Sequence, residues 1–533
     1  MKQGLAVFGF GIAALAAAMP APARAEGNKF TFARADASAV DYRATRHRAA
    51  MSCEQLGRNG GDTAALKVER VPATAQVPEH CRIDGVLKSG AGFQVNLPMA
   101  WNGRLYMYGN GGFAGEDAEA PHEQASRDRG LANGFATART DTGHLAASEP
   151  LASFARDRRK LVNHGYRAVH DTATYAKTLA AIFYGTRPRR AYWDGCSTGG
   201  REGVMSAQRY PADFDGIVAG APTLDWSSIM IKGLWDRQAL AGSGLSFDKM
   251  GLVFKAVIAK CDALDGVADG LIDDPRRCNF DPQRDLPACR DGGATADCFT
   301  ASETEALRKI YAGPPKGAAT PSWLFQTPGS EQPSTLFPFT MMRDGSPDVL
   351  SIFAASWMKF IGFKNPDYDP AQFNFASDPA RIRGADVLFN PTPDLAAFKA
   401  RGGKMITFWG WADTALNPQM GIDYYDRVVG RLGLPATQSF YRLFLIPGVA
   451  HCGGGYGPEE IDAMTDVINW VEKGITPDRL PARRRSTDGS PSYNRAYCPY
   501  PAATRYDGSG DREDPQSYSC AAPPEPAEPA EQK

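Results

Sequence analysis

Short apolar runs alternate with longer amphipathic segments along two stretches of the chain, about residues 80–225 and 385–475. The short runs are typical of buried strands and the longer segments are typical of helices. Strand-like runs occupy residues 104–108, 134–139, 190–194, 404–409 and 441–446, and helix-like segments occupy residues 171–184, 200–209 and 464–472. This alternation predicts a mostly parallel sheet covered by helices, which is an α/β fold.

The alternation is interrupted between about residues 226 and 384, where the chain is rich in proline, glycine and aromatic residues and holds four cysteines. We predict a lid domain at 226–384, inserted between two parts of an α/β core at 26–225 and 385–520. Residues 521–533 are rich in proline, glutamate and alanine, and this composition predicts a disordered tail.

The N-terminus has the three parts of a secretory signal peptide. A positive start at Lys2 precedes an apolar run over residues 5–18 and an Ala-x-Ala site that ends at Ala25. We therefore expect residues 1–25 to be removed, with cleavage near Ala25, and the mature protein to be periplasmic or secreted. No later stretch approaches the roughly 20 apolar residues that a membrane-spanning helix needs.

Charge and cysteine content narrow the function classes. The formal net charge is −1 with both signs interspersed, so we expect neither nucleic acid nor an anionic membrane as a partner. Ten cysteines in an exported protein indicate up to five disulfides. Proximity along the chain favours the pairs 53–81, 261–278, 289–298 and 498–520, which leaves Cys196 and Cys452 for each other. Nothing in the pattern indicates the oligomeric state.

The candidate chemistry centres on Gly195-Cys196-Ser197-Thr198-Gly199, which fits the G-x-S-x-G nucleophile elbow. A strand-like run leads into the motif and a helix-like segment leads out, so the serine hydroxyl is expected on a sharp turn above a sheet. The alternative is an ordinary turn, because glycine is abundant in this chain. The strand and helix favour Ser197 as a nucleophile on an α/β-hydrolase fold.

In that fold the triad follows the chain order Ser, Asp or Glu, His. Of the seven histidines only His451 comes after Ser197, in a glycine-rich loop, and the alternative is a structural loop histidine. The favoured acid is Asp413, just past a strand-like run, where a carboxylate can orient the imidazole. Three earlier aspartates compete for this role, Asp213, Asp215 and Asp225.

Two backbone N–H groups are needed where charge develops on the carbonyl oxygen of a substrate. We expect one from Thr198, directly after the nucleophile, and the other from the glycine-rich loop after residues 104–108. Within that loop Gly112 is favoured, with Gly111 close behind, and an ordinary tight turn is the alternative.

Cys196 neighbours Ser197, and Cys452 neighbours His451. A disulfide between the two cysteines would hold the nucleophile's turn and the base's loop within hydrogen-bonding range. A rival interpretation makes Cys196 the nucleophile. An oxidising compartment and the position of Cys196 as the first x of the motif argue against it.

With these residues in view, the chain resembles the tannase and feruloyl esterase family from about Cys53 to about Cys520. The signature of that family is a Ser-Asp-His triad whose serine and histidine each neighbour a cysteine of one disulfide. The segment Gly410-Trp411-Ala412-Asp413 matches the family's G-x-[AS]-D, which favours Asp413 as the acid. One departure is Trp409, where members often carry His, and it could change the wall of the substrate pocket.

A second constellation is the acidic segment between Cys261 and Cys278. Its spacing is not that of an EF-hand, so the residues alone leave Ca²⁺ and a solvated acidic turn as alternatives. The resemblance implies a structural Ca²⁺ that stiffens the lid. The implied ligands are the side chains of Asp262, Asp265 and Asp269 and the backbone carbonyls of Val267 and Leu271.

The resemblance also implies a serine esterase without an organic cofactor, acting on small aromatic esters of the feruloyl, galloyl or terephthaloyl monoester type. Lid aromatics are candidates for an acyl pocket, although lid core is the ordinary role of any one of them: Trp323, Phe325, Phe337, Phe339, Trp357 and Phe360. Lys359 and Lys364 are candidates for selecting a carboxylate-bearing substrate. The sequence does not identify the acyl group or the alcohol.

The sequence leaves two other functions open. A catalytically silent hydrolase-fold binding protein predicts a broken triad, whereas every triad position is filled here. A serine peptidase on the same fold predicts cleavage of peptides rather than of small esters.

Overall fold

The computed structural model describes residues 29–59, 63–290, 295–317, 320–321, 325–336, 338–486 and 489–522. The predicted signal peptide and most of the predicted tail lie outside these residues. A nine-stranded sheet forms the centre of the protein. Its strands are β1 (Thr63–Val71), β2 (His80–Leu87), β3 (Gly92–Pro98), β4 (Arg104–Tyr108), β5 (Ala136–Thr140), β6 (Arg190–Cys196), β7 (Gly216–Gly220), β8 (Lys404–Gly410) and β9 (Tyr441–Ile446).

The strands lie side by side in the order β9-β8-β7-β6-β4-β5-β3-β2-β1. The six strands from β9 to β5 are all parallel, and β3, β2 and β1 extend the sheet with antiparallel pairs. The prediction of a mostly parallel sheet is therefore confirmed. The parallel strands are buried nearly throughout, because helices cover both faces of the sheet.

Nine α-helices of the described residues are at least nine residues long. They are α1 (Pro121–Ala132), α2 (Ala168–Tyr184), α3 (Thr198–Arg209), α4 (Trp226–Leu240), α5 (Met250–Cys261), α6 (Ala301–Ala312), α7 (Val349–Trp357), α8 (Pro418–Leu432) and α9 (Ala463–Lys473). Alternate residues of β4 point to opposite faces of the sheet. Leu105 and Met107 join the larger apolar cluster, whereas Tyr106 and Tyr108 join a second cluster beneath α9.

Shorter elements complete the chain. Short helices span Cys53–Asn59, Arg158–Val162, Pro282–Asp285, Pro333–Leu336, Asp378–Ile382, Asp386–Phe389, Ala396–Ala400 and Leu434–Gln438. Short strands pair His47–Arg48 with Ala100–Trp101, and a three-stranded sheet joins Glu460–Ile461, Leu480–Arg484 and Tyr493–Tyr497. An antiparallel ribbon pairs Ala503–Tyr506 with Tyr518–Ala521. Among the described residues no helix is both long and apolar enough to cross a membrane.

The predicted lid, residues 226–384, lies between β7 and β8 in the chain, and its described part adds no strand to the nine-stranded sheet. One part of the lid has its own apolar core, to which Phe247, Val253 and Phe299 belong. The other part, α4 and α7, packs into the main core, where Trp226 and Trp357 stack with ring centroids 5.2 Å apart. The lid is therefore joined to the core by packing as well as by the chain.

Five disulfides join all ten cysteines in the pairing that chain proximity favours. The disulfide between Cys498 and Cys520 has one end in the last strand. This strand extends to residue 521, so the predicted start of the disordered tail at residue 521 is one residue too early. Ala521 still pairs with Ala503, because the adjacent disulfide holds the last strand on its partner.

Candidate active site

Ser197 lies on the turn between β6, which ends at Cys196, and α3, which begins at Thr198. Its backbone has φ 59° and ψ −121°, a conformation that few residues other than glycine adopt. The turn is tight because two glycines let the backbone pass close to itself. A Cβ at Gly195 would lie 2.5 Å from the backbone of Gly199, and one at Gly199 would lie 3.0 Å from Cα of Gly109. The structure thus places Ser197 at the carboxyl end of a central strand, as the motif predicts.

Asp413 and His451 form a buried pair at the same end of the sheet. Nδ1 of His451 lies 2.8 Å from Oδ2 of Asp413, and the two side chains are 5% and 0% exposed. Oδ1 of Asp413 accepts the N–H groups of Ala415 and Leu416 at 2.9 and 2.8 Å. Because the carboxylate only accepts, Nδ1 of His451 carries the hydrogen, and Nε2 is left with a lone pair for a proton.

The three competing aspartates are engaged elsewhere. Asp213 pairs with His170 at 2.8 Å, and Asp215 accepts the N–H of Ala191 at 2.9 Å. Asp225 caps α4 and forms an ion pair with Arg383 at 2.7 Å. Asp413 is therefore the candidate acid that the fold brings to His451.

The Cys196–Cys452 disulfide joins the nucleophile's turn to the loop that holds the histidine, with the two Cα atoms 5.8 Å apart. Ser197 and His451 thus flank one covalent cross-link, and Cys196 has no free thiol that could act as a rival nucleophile. Among the hydrogen bonds of the described residues, none joins Oγ of Ser197 to the imidazole of His451. Catalytic hydrogen bonds are often long in the absence of substrate and tighten in the Michaelis complex.

The loop after β4 is held against the start of α3. The N–H of Gly199 donates to the carbonyl of Asn110 at 2.8 Å, and the hydroxyl of Thr198 donates to the carbonyl of Gly112 at 2.5 Å. The N–H of Gly111 donates to Oε1 of Glu116 at 3.3 Å. Neither the N–H of Thr198 nor that of Gly112 has an acceptor within the described part of the chain. These two amides, rather than Gly111, are the ones available to an oxyanion.

Two lid phenylalanines flank this loop and the histidine. The ring of Phe339 packs edge-on against the imidazole of His451, with centroids 5.1 Å apart. The ring of Phe353 packs closely on Gly112, since a Cβ added at Gly112 would lie 2.9 Å from Cζ of Phe353. Phe353 is a residue that the sequence does not single out, since helix α7 is mostly apolar and its two serines, Ser351 and Ser356, do not mark one polar face.

The other predicted pocket residues differ in their surroundings. Phe325 and Phe360 are partly buried against the main core, and Trp357 is fully buried within it. Trp323 and Phe337 lie outside the described residues. Lys359 is half-buried and Lys364 is exposed, and the described residues show no hydrogen bond or ion pair from either lysine to the triad candidates.

Trp409 has a role at the acid's segment. Its ring is fully buried, packs against Gly421 of α8, and donates its indole N–H to the carbonyl of Leu416 at 2.9 Å. Leu416 is one of the two residues whose N–H groups hold Asp413. Trp409 therefore braces the segment of the candidate acid.

The acidic segment after α5 is closed by the Cys261–Cys278 disulfide. Asp262 accepts backbone N–H groups, including that of Gly270 at 3.1 Å, and Asp265 accepts that of Val267 at 2.9 Å. These carboxylates face the loop's own backbone. In the described ranges no group of three or more Asp, Glu, His or Cys side chains is arranged to hold a metal ion.

The same segment carries an excess of negative charge. Burial and neighbouring carboxylates raise the pKa of Asp265 to about 6 and that of Asp273 well above its usual range. One cation, Arg495, pairs with Asp269 at 3.0 Å. The N–H of Leu271 donates to Oδ1 of Asp269 at 3.1 Å. The donor set of hard oxygens suits Ca²⁺, although its side chains do not converge on one point, and the metal site stays a prediction.

Comparisons with known proteins find relatives over most of the chain. A family profile described as Tannase and feruloyl esterase matches residues 75–521. A mono(2-hydroxyethyl) terephthalate hydrolase from Piscinibacter sakaiensis is 33% identical, over 89% of this chain and 92% of its own. A protein named probable feruloyl esterase B-1, from Aspergillus flavus, is 30% identical, over 83% of this chain and 86% of its own.

Solved structures show the same likeness. The crystal structure of feruloyl esterase B from Aspergillus oryzae is similar with a TM-score of 0.77 at 26% identity, covering 88% of this chain and 99% of that one. Tannin acyl hydrolase from Aspergillus niger has a TM-score of 0.70 at 20% identity, covering 90% and 96% of the two chains. At 20% identity, the likeness to tannin acyl hydrolase bears on the fold alone.

Proposed function

This chain belongs to the tannase and feruloyl esterase family, and on that premise we propose that it is an exported serine esterase for small aromatic carboxylic esters. One observation carries the proposal. The Asp413–His451 pair is tied by the Cys196–Cys452 disulfide to the turn that presents Ser197. A nucleophile, a base and the group that orients the base are thereby held together at one end of the sheet.

The proposed reaction is a two-step acyl transfer. Nε2 of His451 takes the proton of Ser197 as Oγ attacks the ester carbonyl carbon. The carbonyl oxygen then becomes an oxyanion that accepts the N–H groups of Thr198 and Gly112. The C–O bond to the alcohol breaks, and the alcohol leaves with the proton from His451. A water molecule, activated by the same histidine, then attacks the acyl-enzyme and frees the acid and Ser197.

An aromatic acyl group fits the apolar surroundings of Ser197. Phe339 lies against the histidine and Phe353 lies against the oxyanion loop, so an acyl chain entering between them meets aromatic rings. The names of the relatives point to feruloyl esters and to a terephthalate monoester. We therefore propose feruloyl, galloyl or terephthaloyl monoesters as the substrate class.

The test is acid release by the purified mature protein from methyl ferulate, methyl gallate and mono(2-hydroxyethyl) terephthalate, with Ser197→Ala as the control. We expect turnover of at least one ester and none by the variant. Turnover that survives in Ser197→Ala would contradict the mechanism. Cleavage of peptide amides instead of esters would favour the serine peptidase alternative. Binding of an ester without turnover by folded protein would favour the silent binding protein.

Export is part of the proposal. The five disulfides fit an oxidising compartment, and the sequence around Ala25 has the form of a cleavage site. Mass spectrometry of the exported protein should give an N-terminus near Glu26. A retained leader in the purified periplasmic fraction would contradict this expectation.

A structural Ca²⁺ is also proposed, held by the side chains of Asp262, Asp265 and Asp269 with carbonyls of Val267 and Leu271. The ion would offset the excess negative charge of this segment and stiffen the lid, and it has no part in the reaction. We expect a chelator to lower the melting temperature and Ca²⁺ to restore it. An unchanged melting temperature, together with no Ca²⁺ in the purified protein by elemental analysis, would contradict the site.

A further inference from the structure

Glu202 is a buried carboxylate on the helix that follows the nucleophile. It lies five residues after Ser197 on α3 and is 3% exposed. Its oxygens accept hydrogen bonds from Asn110. Oε2 accepts the backbone N–H of Asn110 at 3.1 Å, and the side-chain amide of Asn110 donates to Oε1 and Oε2 at 3.0 and 3.2 Å.

A buried carboxylate is costly unless it is paired or hydrogen-bonded. Arg201, the adjacent cation, directs its guanidinium to the carbonyls of Gly165 and His164 at 2.7 and 2.9 Å rather than to Glu202. Within the described part of the chain, every hydrogen bond to the carboxylate of Glu202 comes from Asn110. The carboxylate is therefore committed to this one residue of the loop after β4.

Asn110 is held on three sides, and two residues later the chain reaches Gly112. Glu202 takes its N–H and its side-chain amide, and the N–H of Gly199 donates to its carbonyl at 2.8 Å. The backbone of Gly109 also packs so closely on α3 that a Cβ there would lie 2.5 Å from Cα of Gly199. The loop that carries one oxyanion donor is thus fixed to the helix that carries the other donor.

We propose that Glu202 is a positioning residue of the oxyanion hole. It holds Asn110, and through Asn110 it sets the place of the Gly112 N–H relative to Oγ of Ser197. The inference rests on the proposed function, because it assumes that Gly112 and Thr198 bind the oxyanion. Glu202 does not touch the substrate, and its effect passes entirely through the loop.

If Glu202 had only a structural role, its substitution would change different quantities. Oxyanion donors act on the transition state, so misplacing one lowers kcat and leaves KM nearly unchanged. Loss of a structural contact lowers stability without this split. Glu472 is the matched control, since its side chain is 7% exposed and accepts from Arg104 at 2.6 and 2.8 Å. Arg104 begins β4, at the end opposite to the loop that carries Asn110.

The experiment compares four proteins in the ester assay: the wild type, Glu202→Gln, Glu472→Gln, and the double variant Asn110→Asp/Glu202→Gln. In Glu202→Gln an amide NH₂ faces the donors of Asn110. In the double variant the amide introduced at position 202 can donate to the carboxylate introduced at position 110 and still accept the backbone N–H there. Binding of phenylboronic acid, whose tetrahedral adduct on serine resembles the oxyanion, is measured beside inhibition by the product acid.

For Glu202→Gln we expect kcat to fall by about tenfold to a hundredfold, with KM within about twofold, because loss of a whole oxyanion donor costs about 10²–10³. Boronate affinity falls in parallel, and product inhibition is unchanged. The double variant recovers much of kcat, and Glu472→Gln retains it.

An unchanged kcat in folded Glu202→Gln, with the wild type active, would overturn the positioning role and leave the esterase proposal standing. The positioning role would also be overturned if the double variant showed no recovery of kcat, or if Glu472→Gln lost as much kcat as Glu202→Gln. The esterase proposal would stand in both cases. Absence of ester turnover in the wild type would instead overturn the proposed function on which the role depends.

Discussion

Asp413 has both of its carboxylate oxygens engaged. Oδ1 accepts two backbone N–H groups, from Ala415 and Leu416, and Oδ2 faces Nδ1 of His451. The backbone donors fix which oxygen meets the imidazole. The orientation of one carboxyl group thereby sets the tautomer of the histidine, and the tautomer decides whether Nε2 can accept the proton of Ser197.

Asp413→Asn should lower kcat by about 10⁴-fold. The two backbone N–H groups require the amide oxygen at Oδ1, so the NH₂ group faces His451 and donates to Nδ1. The imidazole then carries its hydrogen on Nε2. This nitrogen has no lone pair left to take the proton of Ser197. Steady-state ester hydrolysis measures the loss. Asp213→Asn is the control, since Asp213 makes the same 2.8 Å contact to His170 away from the site. A comparable loss in the control would contradict the account.

His144 makes the stability of the protein depend on pH. It is buried against Phe154, and burial together with the charge of Lys160 lowers its pKa to about 4. Its ordinary pKa in an unfolded chain is about 6.5. As the pH falls from 6.5 toward 4, the unfolded state therefore takes up a proton that the folded state refuses, and the free energy of unfolding falls.

This linkage amounts to about 3 kcal/mol over that interval. We expect His144→Phe, whose ring can keep the stacking on Phe154, to lose less of its free energy of unfolding between pH 6.5 and 4.5 than the wild type does. Urea denaturation at several pH values measures the difference. Parallel pH dependences of the two proteins would show that His144 does not contribute.

At the scale of elements, the site depends on three connections between β6, β8 and the loop that follows β9. The Cys196–Cys452 disulfide joins the end of β6 to that loop. The N–H of Ala412, after β8, donates to the carbonyl of Val449 at 3.0 Å. A Cβ at Gly410 would lie 2.0 Å from that same oxygen, so only glycine permits the contact. The triad candidates thus come from three strands that lie within four adjacent positions of the sheet.

Removal of this disulfide should lower activity more than removal of another. For Cys196→Ala/Cys452→Ala we expect a loss of about 2–5 kcal/mol of stability and a fall in kcat of about tenfold to a hundredfold, because the nucleophile and the base are no longer held together. Cys53→Ala/Cys81→Ala, at the far edge of the sheet, is the matched control. It should lose stability and keep kcat at a temperature where both variants are folded. Equal kcat values for the two pairs would contradict this role.

At the scale of the whole molecule, the sequence predicts the sheet and the triad candidates better than the residues that surround and position them. The candidates Ser197, Asp413 and His451 can be selected from the sequence because a local motif, the chain order and neighbouring cysteines restrict the choice. Glu202 and Phe353 could not be predicted, because their partners lie far away in the chain. Asn110 is 92 residues from Glu202. Nothing in the helical pattern distinguishes a buried glutamate that reaches such a partner from a solvated one.

The N-terminal segment gives a second example at this scale. Thr31 donates to the buried Asp194, just before the nucleophile's turn, at 2.7 Å. The N–H groups of Phe32 and Arg34 donate to Asp462, about 430 residues later, at 3.1 and 2.7 Å. Polar pairings over such separations leave no periodic signal, so sequence patterns do not reveal them. They nevertheless hold the N-terminal segment against β6 and against the start of α9.

In the proposed mechanism Ser197 is the nucleophile and His451 activates it. The most direct measurement is reaction of the folded protein with diethyl 4-nitrophenyl phosphate, followed by peptide mass mapping. We predict one diethylphosphoryl group, on the peptide that contains Ser197, absent in Ser197→Ala and formed far more slowly in His451→Ala. A label on another residue, or no label on protein that still hydrolyses esters, would contradict the account.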